Sequence, residues 1–154
     1  MGLIECASSA SAWRGYEYYK NNHVKSVKQI DEDNWESVVK GEQEYHVLVN
    51  VKHPRFSKCD CPFANGKRIV CKHMVATYFT VFPKEAEEYY NDVVKAEEEW
   101  EAYQEEIDNR IIKCVRSMKK ENLQNTLLYL LDSVPEWIKD SFCRENGIYD
   151  DDKW

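Results

Sequence analysis

Between Cys59 and His73 the chain reads CDCPFANGKRIVCKH, a Cys-x-Cys pair and a Cys-x-His pair separated by nine residues. Thiolate sulfur and imidazole nitrogen are the donors that Zn²⁺ prefers, and three cysteines with one histidine fill its four tetrahedral positions. Cys59, Cys61, Cys71 and His73 are therefore the expected metal ligands, with no position left open for a catalytic water. An iron–sulfur cluster is the chemical rival for such a donor set. The family that binds one this way carries Cys-Asp-Gly-Ser-His at its second pair, and here that pair is Cys71-Lys72-His73. A Cys59–Cys61 disulfide is disfavoured, because so short a ring departs from relaxed disulfide geometry.

The elements that must position these donors follow from the neighbouring residues. Pro62 biases Cys61 toward extended backbone, and Asn65-Gly66 offers a tight turn that brings the second pair back. Residues two apart on a helix point nearly opposite ways, so Cys71 is expected on the approach to a helix and His73 in its first turn. Met74, Val75, Tyr78, Phe79 and Phe82 make that helix apolar enough to bury, and Pro83 closes it. Upstream, Ser8 to Asn22 reads as a short helix weakened by Gly15. Val24–Ile30, Trp35–Lys40 and Glu44–Lys52 read as strands. The third is clearest, since Tyr45, Val47, Val49 and Val51 alternate with His46, Leu48, Asn50 and Lys52. Turn-like Asp31-Glu32-Asp33-Asn34 and Gly41-Glu42-Gln43 make the three an antiparallel meander.

Downstream, Lys84 to Met118 is helical, with Ala86, Tyr90, Val93, Glu97, Trp100, Gln104, Ile107, Ile111, Cys114 and Met118 at alternating steps of three and four. Glu97 and Gln104 interrupt this seam. A break near Asp108-Asn109 is one reading of so long a run. Its acidic residues read as a solvated face, with a coiled-coil dimer or a docking arm as alternatives. Lys119–Ser133 and a segment opened by Pro135 are two more helices. Asp150-Asp151-Asp152-Lys153-Trp154 reads as a mobile acidic tail. The fold class is α+β, with a three-stranded antiparallel meander, zinc knuckle and helix in residues 1–83 and an acidic helical region in 84–154. Cys6, Cys114 and Cys143 read as small buried or half-buried side chains, and His23, His46 and His53 as ordinary strand or loop residues.

The 154 residues carry a net charge of −7, with 43% hydrophobic and 32% charged side chains. That is too apolar for wholesale disorder and too charged for a membrane protein. No secretory or myristoylation pattern is read at Met1-Gly2-Leu3-Ile4-Glu5-Cys6. The expected location is cytoplasmic, in a reducing compartment where clustered cysteines bind metal more often than they pair. Charge is unevenly spread: residues 50–83 hold six Lys or Arg and one Asp, whereas residues 84–110 hold three basic and eleven acidic side chains.

Cys59-x-Cys61 and Cys71-x-His73, followed at once by an apolar helix, resemble the SWIM-type zinc finger. Arg14-Gly15, Tyr18-Tyr19 and Val24 are similar to the segment that precedes the finger in bacterial members. Asp60, Pro62-Phe63 and Met74-Val75-Ala76 are similar to the residues around its ligands. Ser117 to Trp137 resembles the leucine-rich helical segment common after it. The resemblance implies a structural Zn²⁺ on Cys59, Cys61, Cys71 and His73, and a domain that binds DNA or other proteins alongside helicase-type ATPases. No P-loop occurs in these residues, so the expectation is a module or subunit.

Three functions are compatible with this pattern. Lys52, Arg55, Lys58, Lys67, Arg68 and Lys72 would bind nucleic-acid phosphates, with Phe56 and Phe63 stacking on unpaired bases. The same cations could instead neutralise the formal −1 of three thiolates and one Zn²⁺. A protein-interaction adaptor acting through the acidic helical region is the second function. An enzyme is the least favoured, because the metal site is closed and no Ser-His-Asp spacing or phosphate loop is present.

Overall fold

The computed structural model describes residues 2–149, so the acidic tail from Asp150 to Trp154 lies outside the described residues. Helix α1, Ser9–Lys20, starts where expected: the Ser8 side chain accepts the Ser11 amide at 3.2 Å, satisfying one of the orphan donors of the first turn. It ends at Asn21, followed by Asn22 in the left-handed region at φ 55°.

Strands β1 (Val24–Gln29), β2 (Asn34–Lys40), β3 (Glu44–Asn50) and β4 (Lys58–Cys59) form one antiparallel sheet in that order. The β1–β2 turn is closed by Asp31, whose Oδ1 accepts the amides of Asp33 and Asn34 at 2.9 Å each. This local hydrogen bonding is what suits aspartate to turns. The alternation read in β3 is its burial pattern: Tyr45, Val47 and Val49 are buried, and His46 is exposed.

The fourth strand corrects the three-stranded meander. Only two residues long, β4 pairs Val47 with Cys59 and Leu48 with Lys58. Its edge is reinforced from within the ligand motif, where Asp60 Oδ1 accepts the His46 amide at 3.0 Å and the Asp60 amide donates to His46 O at 3.3 Å. Two residues are too few for periodicity to register.

Helix α2, Lys72–Val81, packs on both the sheet and α1. Seven of its ten residues are buried, so it is a core helix with no polar face to solvent along most of its length. Phe79, fully buried, is ringed by Tyr16, Tyr19 and Tyr89 at centroid distances of 6.1, 6.2 and 5.4 Å. Gly15, read as a weakness of α1, is instead the point where α1 meets α2. A Cβ there would lie 2.4 Å from Val75 Cβ, so only glycine permits this approach.

Helix α3, Pro83–Ser117, is continuous, and the break near Asp108 does not occur. Pro83 both stops α2 and starts α3, as its fixed φ and missing N–H allow. By compactness the chain divides into Met1–Glu97 and Glu98–Trp154, and within the first unit Tyr90 of α3 stacks on Tyr16 of α1 at 5.3 Å. The second unit contains α4, Lys120–Ser133, and α5, Glu136–Glu145, which Pro135 precedes as N-cap. Gly147, at φ 61°, follows α5. Among the described residues from 87 to 149 none is buried, and Cys114, expected at least half-buried, is exposed. None of the described helices is long and apolar enough to cross a membrane.

Candidate metal centre and basic groove

Each ligand is delivered by a different local device. Cys59 sits in β4, and Cys61 opens a turn in which its carbonyl accepts the amides of Ala64 and Asn65 at 3.0 and 2.9 Å. Gly66, at φ 71°, completes the reversal. Cys71 is the N-cap of α2 with extended backbone, and His73 lies in the first turn, as the two-residue spacing requires. Thr77 then fixes that turn: its hydroxyl donates to His73 O at 2.9 Å. With that hydrogen committed, Ser37 must donate to Thr77 Oγ1 across their 2.5 Å contact, tying α2 to β2.

The four donors converge. All are buried, and their ligand atoms lie within 4.8 Å of one another. His73 turns Nδ1 inward, 3.6 Å from Cys59 Sγ and 4.0 Å from Cys71 Sγ. A tetrahedral zinc with bonds of about 2.3 Å to sulfur and 2.05 Å to nitrogen has a sulfur–nitrogen edge of about 3.6 Å, so the donor set fits the ion in size as well as in chemistry. Charge points the same way. The hydrogen bond from Cys59 holds the Cys71 thiol low, at about 4, with His73 assisting. The same hydrogen bond and burial push Cys59 up, and burial pushes Cys61 up. Without a cation the pocket favours one thiolate and opposes three; a divalent ion removes that opposition.

The family model described as SWIM zinc finger matches residues 45–82. Those residues form a SWIM zinc finger. No curated protein and no solved structure matches the chain. Zn²⁺ held by Cys59, Cys61, Cys71 and His73 supplies a cross-link between β4, the knuckle turn and α2, and the full donor set makes it a structural rather than an open site.

Around the SWIM finger the histidine ring is clamped. Tyr45 stacks on His73 at 4.6 Å, and Tyr18 meets it at 60° and 5.4 Å. Lys72 holds Tyr18 in turn, donating to its hydroxyl at 2.7 Å with Nζ 4.3 Å from the ring centre. The clamp is closed by Gly41, where a Cβ would lie 2.8 Å from Tyr45 Cε2 and 3.3 Å from His73 Nε2. Gly41→Ala is expected to cost about 1–3 kcal/mol of stability by overpacking and to speed zinc loss to a competing chelator. Wild-type stability and zinc retention would contradict this account of the clamp.

The six cations near the finger do not form one patch. Arg55, Lys58, Lys67 and Arg68 line a single groove of about 850 Å³, bounded by the open face of β2 and β3 and by the knuckle turn. All four are exposed, and among the described residues none makes an ion pair. Lys52 lies outside this groove and pairs with Asp33 at 3.8 Å. Lys72 lines a smaller cleft of about 330 Å³ with Arg14, Glu42 and Phe63. Phe56, 59% exposed, is in the basic groove and Phe63 is not. Sequence reasoning missed His46 and Asn65 as groove residues. The alternation in β3 already placed His46 on the outward face; the turn that brings Asn65 alongside was legible only as a turn.

Proposed function

We propose that the SWIM finger binds nucleic acid in this groove, with Arg55, Lys58, Lys67 and Arg68 on backbone phosphates and Phe56 as a platform for an unpaired base. The observation that carries this reading is the gathering of four unpaired cations and one exposed aromatic ring on one concave surface. Neutralising the metal site does not account for them, since three thiolates and one Zn²⁺ leave a single negative charge. Of the two carboxylates in the groove, Asp60 already accepts a backbone amide. Phosphate contacts of this kind tolerate sequence, so targeting falls to a partner, for which the resemblance implies a helicase-type ATPase. Fluorescence anisotropy with labelled single- and double-stranded oligonucleotides across a salt series tests the binding. Lys67→Glu/Arg68→Glu is expected to weaken it at least about tenfold and flatten its salt dependence, while Lys52→Glu changes little. No binding at low salt, or binding indifferent to the double change, rejects the proposal.

A second reading, an adaptor that docks protein through the acidic helical region, is favoured by a separate observation: residues 84–110 hold eleven acidic and three basic side chains, and none of the described residues from 87 to 149 is buried.

A further inference from the structure

Helix α3 carries its charge in two blocks. Residues 97–108 hold seven acidic side chains and no basic one, and residues 110–120 hold five basic side chains and no acidic one. Along the same stretch Trp100, Gln104, Ile107, Ile111, Cys114 and Met118 repeat at steps of four, three, four, three and four, the spacing of a two-helix seam. The seam is uncovered: Trp100 is 62% exposed and Ile111 54%, and Ile107 and Met118 are only half-buried.

We propose that the occupant of this seam is the same segment of a second copy of the chain, running antiparallel. Charge decides both the occupant and the direction. A parallel pair sets the acidic block against itself and the basic block against itself, whereas an antiparallel pair sets each acidic block against the other copy's basic block, twice by symmetry. Centred on Asn109, the antiparallel pair faces Trp100 with Met118 of the second copy, Gln104 with Cys114, and Ile107 with Ile111. These are all pairings of one seam position with its complement, as antiparallel packing requires. Glu106 and Lys113 lie on the same flank and face each other across the interface. Like charges meet only at the crossing, where Asp108 and Arg110 each lie nearest their own symmetry mate; both are exposed and free to turn outward. Gln104 opposite Cys114 is the polar layer, which disfavours slipped registers.

The direction is readable by cross-linking. In the antiparallel pair the two Cys114 sulfurs are offset by ten residues, about 15 Å along the axis, beyond disulfide reach. In a parallel pair they face each other. With the zinc-loaded 154-residue chain, sedimentation equilibrium is expected to show a dimer. Mild oxidation of Gln104→Cys should join the introduced thiol to Cys114 of the second copy, identified by peptide mapping, while wild type forms no Cys114–Cys114 link. Glu106→Lys should raise the dimer dissociation constant about tenfold, and Glu106→Lys/Lys113→Glu should restore it. A monomer at high micromolar concentration, a Cys114–Cys114 link in wild type, a dimer lacking the engineered link, or a double reversal that fails to restore dimerisation each overturns the proposal.

Discussion

Stripping the zinc with a strong chelator unfolds the segment from Val24 to Phe82, and Cys61→Ser has the same outcome. The reason lies in how the core is built. Cys59, Cys61 and Cys71 belong to the same buried cluster as Val47, Val49, Met74 and Phe79, so the metal site is part of the core and not an attachment to it. Metal-free, the cluster holds three closely packed sulfurs that resist joint ionisation, and β4 keeps only two residue pairs on β3. Structural zinc is worth on the order of 10–16 kcal/mol in finger peptides at neutral pH, comparable to the whole stability of an ordinary domain. The apolar contacts of α1 and α2 with Phe79 are too few to replace it in so small a unit. Circular dichroism with elemental analysis checks this: one zinc per chain and loss of the sheet signal on chelation are expected. A well-folded metal-free protein would refute the structural role. Acid acts in the same direction, because protons compete with zinc for thiolate and imidazole.

Gly15→Ala is expected to destabilise the finger nearly as visibly, although it adds one methyl group and replaces a poor helix former with the best one. On an isolated helix the change gains up to about 1 kcal/mol. Here the new Cβ would lie 2.4 Å from both Val75 Cβ and Val75 Cγ1 and 2.9 Å from Lys72 O. The obstruction includes backbone and a Cβ, so no rotamer change relieves it, and α1 must move off α2. A net loss of about 3 kcal/mol is expected, at the upper end for overpacked cores, read as a lowered urea midpoint with unchanged slope. Val75→Ala in the same chain removes the Cγ1 clash and keeps the Cβ clash, so it rescues only in part. Equal or greater stability of Gly15→Ala alone would show that the helices do not meet there.

What was legible in the sequence and what was not divide along physical lines. The ligands were legible because metal chemistry restricts both residue type and spacing, and the Cys71–His73 interval alone placed one donor before α2 and the other in its first turn. β3 was legible because one buried face imposes a period of two. β4 was not, being two residues long and held by pairing and by Asp60, neither of which leaves a periodic trace. Gly15 was misread because propensity describes an isolated helix, whereas the close approach of Val75 is a tertiary fact. The basic groove was half legible: composition found the six cations, but the fold alone separates Lys52 and Lys72 from the four that share a surface.

The ligands come as two pairs, each adjacent in the chain and joined by the nine residues from Pro62 to Val70. Closing so short a loop costs little entropy, and its turn is already set by the hydrogen bonds to Cys61 O and by Gly66. Zinc can therefore bring the two pairs together before β1, β2 and β3 have found their register, leaving β4 and the start of α2 as a template on which the sheet assembles. In kinetic terms the metal belongs to the folding nucleus. Refolding should then accelerate with free zinc, while unfolding of the loaded protein waits on the first ligand to let go.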